Sequence, residues 1–103
     1  MKGLFREHIT KRYKRSKDWR KVRKVIIIRD NKECKACGRK WGLQVHHILP
    51  LHLFPHLELV HSNLITLCGK CHFLIGHLGS WKSWNREVIE MAQMLYEKIK
   101  NRP

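Results

Sequence analysis

Long hydrophobic runs are absent from this sequence of 103 residues, and acidic residues are scarce. The longest apolar run, residues 25–28, is far shorter than the roughly 20 residues of a membrane-spanning helix, so we expect no membrane partner. Only 8 Asp or Glu oppose 22 Lys or Arg, which gives a formal net charge of +14. This excess of positive charge favours a polyanionic partner, with nucleic acid as the first candidate.

A secretory signal is also missing from the first residues. They carry charges at Lys2, Arg6 and Glu7 and have no apolar segment followed by small residues. We therefore expect a cytoplasmic, reducing compartment, in which paired cysteines bind metal more often than they form disulfides. Hydrophobic residues make up 43% of the chain, which is enough for the modest core of one small domain.

Positive charge is concentrated in the N-terminal part of the chain. Residues 1–29 hold 12 Lys or Arg and 2 acidic residues, whereas residues 30–103 hold 10 and 6. We interpret residues 1–16 as a basic arm that contacts phosphate, and a solvated solubility tail is the alternative. The candidate DNA-binding residues are the basic side chains of this arm and of the segment that follows it: Lys11, Arg12, Lys14, Arg15, Lys17, Arg20, Arg23 and Lys24.

Hydrophobic periodicity predicts an α+β arrangement. Trp19 and Ile26 lie seven residues apart on one apolar face, which predicts a helix over about residues 17–29 with Trp19 in the core. Apolar runs that end at Pro50 or begin after Asn63 predict short strands over residues 43–48 and 64–67.

The C-terminal part predicts a short helix and a long one. The short helix is expected near the last cysteine, and the long one over about residues 85–100. The residues predicted on its apolar face are Val88, Ala92, Leu95 and Ile99. Trp81 and Trp84 precede the long helix. We expect these rings to pack it against the scaffold, and stacking on nucleobases is the alternative.

Two cysteine pairs form the strongest local motif. Cys34 and Cys37 are separated by two residues, as are Cys68 and Cys71, and 30 residues lie between the pairs. Two such turns can direct four thiolates at one tetrahedral zinc ion. The spacing therefore predicts a structural zinc site, with redox dithiols as the alternative.

The segment between the cysteine pairs is rich in histidine. His46 and His47 are adjacent near the end of the first predicted strand. Alternation along a strand sends their rings to opposite sides, so one can bind a cation while the other faces a substrate. His72 directly follows the last cysteine, so a zinc ion bound there would hold it in place.

These motifs together resemble the HNH endonucleases, which are ββα-metal nucleases. The matching positions are Cys-x-x-Cys-Gly, Val45-His46-His47-Ile48-x-Pro50 and Asn63-Leu64-x-x-Leu67-Cys68-x-x-Cys71-His72. The resemblance covers about residues 17–77. It implies a small α+β domain over residues 17–103, with a ββα-metal core over residues 30–77 that is clamped by a Cys₄ zinc site and flanked by N- and C-terminal helices.

The resemblance also implies roles for individual residues. His46 and His72 would be ligands of a catalytic divalent cation, His47 the general base, and Asn63 a brace for the loop that presents His47. Some family members have another ligand four residues after the helix histidine, where this chain has Gly76. His77 comes one residue later and can join the ligands only if the helix ends or widens there.

The expected function is metal-dependent hydrolysis of DNA phosphodiester bonds, by nicking or by cleavage of both strands. The resemblance implies structural Zn²⁺ and a catalytic cation that is Mg²⁺, Mn²⁺, Ni²⁺ or Zn²⁺. A non-catalytic, zinc-dependent DNA-binding module and an RNA-directed nuclease are the alternatives. We expect a monomer or weak dimer with DNA as its partner, and phage or restriction-type proteins are further candidate partners.

Overall fold

The computed structural model describes residues 15–101, so most of the predicted basic arm lies outside the described residues. The elements in chain order are α1 (Trp19–Arg29), β1 (Leu43–His47), β2 (Leu64–Cys68), α2 (Gly69–Cys71), a π-helical turn (His72–Gly76) and α3 (Val88–Lys100). Two short 3₁₀ turns, Pro55–Leu57 and His61–Asn63, lie in the connection between the strands.

β1 and β2 form an antiparallel pair, and different predicted site residues lie at its two ends. Leu43 pairs with Cys68 at one end of the hairpin, and His47 pairs with Leu64 at the other. The cysteine pairs therefore lie near the start of β1, and Asn63 lies near the end of β1 where His47 is located.

Helices cover both faces of this hairpin. On one face Ile26 of α1 packs with Val45 and Leu64, while Leu67 and Val88 belong to the cluster on the other face. Alternating side chains of each strand thus face α1 on one side and α3 on the other. The α+β prediction is confirmed, together with a four-cysteine cluster that can hold a zinc ion.

A buried carboxylate joins α1 to the sheet. Asp30 follows the last residue of α1 and accepts a hydrogen bond from the backbone N–H of Thr66, at 2.9 Å. Arg29 forms a salt bridge with the same carboxylate at 2.9 Å and donates to the backbone oxygen of Leu64 at 2.7 Å. Burial of Asp30 is therefore matched by a charged partner and by hydrogen bonds.

The C-terminal helix differs from its prediction in two respects. It begins at Val88, because the buried side chain of Asn85 accepts the backbone N–H of Glu87 at 3.0 Å in the turn that precedes it. Of the four residues predicted on its apolar face, Val88 and Ala92 are buried, whereas Leu95 and Ile99 are exposed. The first turns of α3 pack on the scaffold through Val88 and Ala92, and Tyr96 further along the helix donates a hydrogen bond to Glu33 at 2.6 Å.

Two tryptophans also differ from expectation. Trp81 is 62% exposed and does not pack α3 on the scaffold. Trp19 packs against the core cluster of Ile26, Val45 and Leu64 as predicted, but it is only partly buried, and one face of its ring contacts His47. None of the helices within residues 15–101 has the length and hydrophobicity that a membrane span requires.

Candidate functional site

Four cysteine side chains meet in one cluster beside the hairpin. The Sγ atoms of Cys34, Cys37, Cys68 and Cys71 all lie within 4.8 Å of one another. Backbone N–H groups point at the sulfurs, since Cys37 N–H donates to Cys34 Sγ at 3.4 Å and Cys71 N–H donates to Cys68 Sγ at 3.5 Å. Each pair thus forms a tight turn that stabilises negative charge on its first sulfur.

The cysteine cluster fits a tetrahedral zinc ion. Cys37 Sγ and Cys68 Sγ are 3.7 Å apart, and two thiolates that bind one zinc at about 2.3 Å in tetrahedral geometry lie about 3.8 Å apart. Burial raises the pKa of both Cys37 and Cys71. Burial also acts to raise the pKa of Cys68, but hydrogen bonds from Cys71, Cys37 and Cys34 lower it overall. Four thiolates would therefore require a cation to be stable together.

A second cluster consists of three histidines. His46 extends from β1, whereas His72 and His77 belong to the π-helical turn and its end. One nitrogen from each ring lies within 4.8 Å of the other two, and the Nε2 atoms of His72 and His77 are 3.1 Å apart. Two nitrogens that bind one ion at about 2.0–2.1 Å lie about 2.9–3.4 Å apart, so the second distance fits two ligands of a single cation.

His46 supplies a further observation in favour of a cation. Its side chain is 2% exposed, and its Nε2 atom has no hydrogen-bond partner among the described residues. A buried polar atom without a partner is costly. A metal ion held by the three histidines would satisfy this atom.

The π-helical turn explains how His77 reaches the other ligands. Its backbone N–H donates to the carbonyl of His72, five residues earlier, at 3.1 Å. A π turn contains more residues per turn than an α-helix, so positions five apart lie on one side. Gly76 allows the close approach, because a Cβ there would lie 3.2 Å from the ring of His46. The helix thus widens at this turn, and the widening brings His77 to His46 and His72, which the sequence alone left undecided.

Hydrogen bonds on the far side of two rings orient this cluster. His72 Nδ1 donates to the side-chain oxygen of Gln44 at 2.6 Å, and His77 Nδ1 donates to the backbone oxygen of Ser83 at 2.7 Å. These bonds place the proton of each neutral ring on Nδ1 and leave the lone pair of Nε2 for a metal. Sequence reasoning missed Gln44 and Ser83, because neither has a local motif.

The electrostatics of the cluster keep the rings of His46 and His72 neutral. Burial, followed by the charges of His72, His77 and His47, lowers the pKa of His46 to about 3. Burial and then His77, Arg15 and His47 lower the pKa of His72 to about 4. Both rings are therefore unprotonated at neutral pH, as metal ligands must be.

His47 points away from the cluster's ligands and has different partners. Its Nε2 is 3.0 Å from the backbone oxygen of Glu58, and its Nδ1 is 3.4 Å from Nη1 of Arg15. A carbonyl only accepts and a guanidinium only donates, so both neighbours favour the form with the proton on Nε2. Burial lowers the pKa of His47, as does Arg15, while the bond to Glu58 opposes the shift.

Asn63 holds the backbone that follows His47. Its Oδ1 accepts the N–H of Leu49 at 2.9 Å, and its Nδ2 donates to the carbonyls of Leu49 and Leu57 at 3.2 and 3.4 Å. Its own carbonyl accepts the N–H of Ile48 at 2.8 Å. Asn63 is buried, and its location is the one expected of a brace for this loop.

The histidines line a cleft of about 690 Å³. The residues around it are Arg15, Val45, His46, His47, Pro50, Leu51, His52, His72, His77, Trp81, Lys82, Ser83 and Trp84. His46, His72 and His77, which face a shared point, thus line the same cleft as His47, which faces Arg15. Trp81 and Lys82 were not among the predicted site residues.

The predicted DNA-binding residues have different surroundings. Lys17, Arg20 and Lys24 are exposed, whereas Arg23 is partly buried and donates to the backbone oxygen of Leu43 at 3.1 Å. Arg23 therefore links α1 to β1 and is less free to contact phosphate. Lys11, Arg12 and Lys14 lie outside the described residues.

Comparison with known proteins agrees with this geometry. Residues 34–77 match the family model described as HNH endonuclease, a span that begins at the first residue of the four-cysteine cluster and ends at His77. No curated protein and no solved structure matches the chain. The family match indicates a nuclease-type or DNA-binding function and a nucleic-acid substrate. Residues 34–77, which contain both candidate metal clusters, are therefore similar to the HNH endonuclease family.

Proposed function

We propose that this protein is a metal-dependent endonuclease that hydrolyses DNA phosphodiester bonds. The observation that carries the proposal is the placement of the neighbouring residues His46 and His47 on β1. His46 joins a three-histidine cluster, while His47 contacts Arg15 and Glu58, and both open into one cleft. A ligand set and a separate base in one cleft are what phosphodiester hydrolysis requires.

The three histidines would hold the catalytic cation. When bound, a divalent cation there would polarise the scissile phosphate and stabilise charge on the leaving oxygen. A set of three imidazoles suits Zn²⁺ or Ni²⁺ better than Mg²⁺, which prefers oxygen ligands. Gln44 and Ser83 would keep the Nε2 atoms of His72 and His77 directed at the ion.

His47 would act as the general base. In the form with its proton on Nε2, the Nδ1 lone pair accepts a proton from the attacking water. The carbonyl of Glu58 continues to accept the Nε2–H, so it stabilises the imidazolium that results. The lowered pKa of His47 keeps the ring neutral, and therefore able to accept a proton, at neutral pH.

Arg15 would bind the phosphate beside this base. Its guanidinium lines the cleft and lies within 3.4 Å of His47 Nδ1. A guanidinium offers several donors to phosphate oxygens. Because Arg15 also contacts His47, a phosphate bound to Arg15 would lie next to the water that His47 activates.

A DNA-binding module without catalysis accounts for less of the structure. The zinc cluster and the exposed basic residues of α1 would serve such a module equally well. It would have no use for the unpartnered Nε2 of buried His46 or for the fixed ring of His47. These two features favour the nuclease.

Supercoiled plasmid tests the proposal. The zinc-loaded protein with added Ni²⁺ or Mn²⁺ should convert the plasmid to nicked or linear forms, and His47→Ala should abolish conversion. His47→Ala should retain cation affinity, whereas His72→Ala should lose both. His56→Ala is the matched control, because His56 is exposed and does not line the cleft. Cleavage by His47→Ala at the wild-type rate would overturn the assignment of the base.

A further inference from the structure

Trp81 has an unusual location for a large aromatic side chain. It is 62% exposed, yet its ring centroid lies 5.5 Å from that of His72 and 4.9 Å from that of His77. Phe73, a residue of the π turn, also contacts the ring, at a centroid distance of 4.9 Å. The indole is thus held against two candidate metal ligands while more than half of it remains open to solvent.

The surroundings of Trp81 combine aromatic surface with positive charge. Trp84 lines the same cleft, and so do the cationic side chains of Arg15 and Lys82. Trp41 offers a contrast, because it is 70% exposed, does not line the cleft and contacts the guanidinium of Arg39. A groove with cations for the backbone and aromatic rings for bases is the arrangement used by proteins that bind single-stranded nucleic acid.

We infer that Trp81 is a stacking platform for an unpaired nucleobase of the strand that is cleaved. The inference rests on the proposed function, since it assumes that the scissile phosphate lies at the histidines. A nucleobase is joined to its phosphate through a single sugar, so a phosphate at this cluster carries its own base towards the ring that contacts His72 and His77. Lys82, the next residue in the chain, can contact the flanking phosphate.

This placement specifies a substrate class. In a duplex both faces of each base are covered by neighbouring bases, so a base can stack on Trp81 only where the DNA is single-stranded or locally opened. The preferred substrate is therefore single-stranded DNA, or DNA with an unpaired nucleotide at the point of cleavage. A fully paired duplex would have to open before it is cut.

Two single-stranded probes test the platform directly. One is a fluorescein-labelled oligothymidylate of about 12 nucleotides, within the usual site size of such proteins. The other has the same backbone with abasic tetrahydrofuran residues throughout. Anisotropy titrations use the full, zinc-loaded chain in the His47→Ala background, so that no cleavage occurs. Trp81→Ala should lower affinity for oligothymidylate about 5- to 150-fold, the range for one lost base–aromatic stack, and leave affinity for the abasic probe unchanged.

Matched variants separate stacking from general effects. Trp41→Ala removes an equally exposed indole outside the cleft and should change neither affinity. Trp81→Phe should keep part of the base-dependent affinity, whereas Trp81→Leu should not, and this pair decides the matter if Trp81→Ala fails to fold. An equal loss on both probes, or no loss on oligothymidylate, would overturn the platform.

Cleavage assays on the protein with native His47 keep the two proposals apart. If this protein cleaves no DNA but binds oligothymidylate through Trp81, the proposed hydrolysis is wrong and the base platform stands. If it cleaves DNA and Trp81→Ala binds both probes normally, the platform is wrong and the nuclease stands. With both correct, cleavage should be faster on single-stranded DNA than on a duplex of the same sequence.

Discussion

The indole of Trp19 stacks on the imidazole of His47, with ring centroids 4.8 Å apart and an interplanar angle of 24°. The guanidinium of Arg15 lies on the same indole, 4.6 Å from its centroid. Trp19 thus contacts both the proposed base and the proposed phosphate-binding residue. Because Glu58 holds one edge of the His47 ring and Trp19 covers one face, the orientation of the ring is restricted in two directions.

Loss of the Trp19 ring should impair the base without removing the cation. Trp19→Ala should lower kcat about 10- to 100-fold, because a poorly oriented catalytic group is costly, while cation affinity at the three histidines stays near that of the wild type. Trp19→Phe should restore much of kcat, since it keeps a flat ring. Rates of plasmid cleavage and calorimetric Ni²⁺ titrations provide the two readouts. A normal kcat in Trp19→Ala would show that Glu58 alone orients His47.

A methyl group at position 76 should disturb the histidine cluster. Gly76→Ala would place a Cβ 3.2 Å from the His46 ring, so the ring must shift and the three ligands separate. We expect cation affinity to fall by at least about tenfold, as for other disturbed metal sites. Gly69→Ala is the control, because a Cβ there would meet its nearest side-chain atom, in Gln44, at an ordinary 3.8 Å. Equal Ni²⁺ affinities in the two variants would contradict the close contact.

Removal of a zinc ligand should destabilise the whole domain. Cys34 is fully buried, and the cluster joins turns that are 30 residues apart in the sequence. Because binding of structural zinc contributes directly to folding free energy, Cys34→Ser should lose bound zinc and melt at a much lower temperature or become insoluble. Elemental analysis and thermal unfolding followed by circular dichroism measure both effects. A metal-free Cys34→Ser protein with the wild-type melting temperature would exclude a structural zinc site.

Cation binding should release few protons from His46 and His72. Their pKa values are lowered to about 3 and about 4, so both rings are already neutral near pH 6. With the ordinary pKa of about 6.5, the two rings would together release about 1.5 protons near pH 6. Affinity should accordingly fall only at lower pH, as protons begin to compete for the two rings.

Calorimetry in buffers of different ionisation enthalpy counts these protons. Ni²⁺ is titrated into protein that holds one equivalent of zinc, so that the cysteine cluster is filled and does not contribute. A release of clearly more than one proton near pH 6 exceeds what a single histidine can supply, and it would mean that the ring of His46 or His72 is charged in the free protein.

Exposed basic residues of α1 should contribute to the salt dependence of DNA binding. The double variant Arg20→Ala/Lys24→Ala should weaken binding on every sequence and flatten the dependence of log Kd on log salt by about 0.9 per lost phosphate contact on duplex DNA. Lys98→Ala, an exposed charge on α3, should leave the slope unchanged. Identical slopes for the double variant and the wild type would show that this face of α1 does not bind phosphate.

Patterns within short stretches of the sequence were sufficient for much of this protein. The spacing of the cysteine pairs predicted the four-thiol cluster, because two residues between cysteines impose a tight turn that brings both sulfurs to one side. Alternation along β1 predicted that His46 and His47 face different partners, because successive side chains of a strand point to opposite faces. The order of these two histidines, Asn63 and His72 along the chain indicated the resemblance to the HNH endonucleases.

The tertiary structure decided the features that depend on residues far apart in the chain. Whether His77 reaches His72 depended on a π turn, and the glycine at position 76 lets the ring of His46 approach that turn closely. Hydrophobic periodicity predicted that Trp19 packs on the core, but it could not show that the ring also contacts His47. Trp81 was expected to pack the C-terminal helix on the scaffold, and its exposed location at the cleft was not predicted. Only the packing of α1 placed Trp19 on His47, and only the turn after His77 placed Trp81 at the cleft.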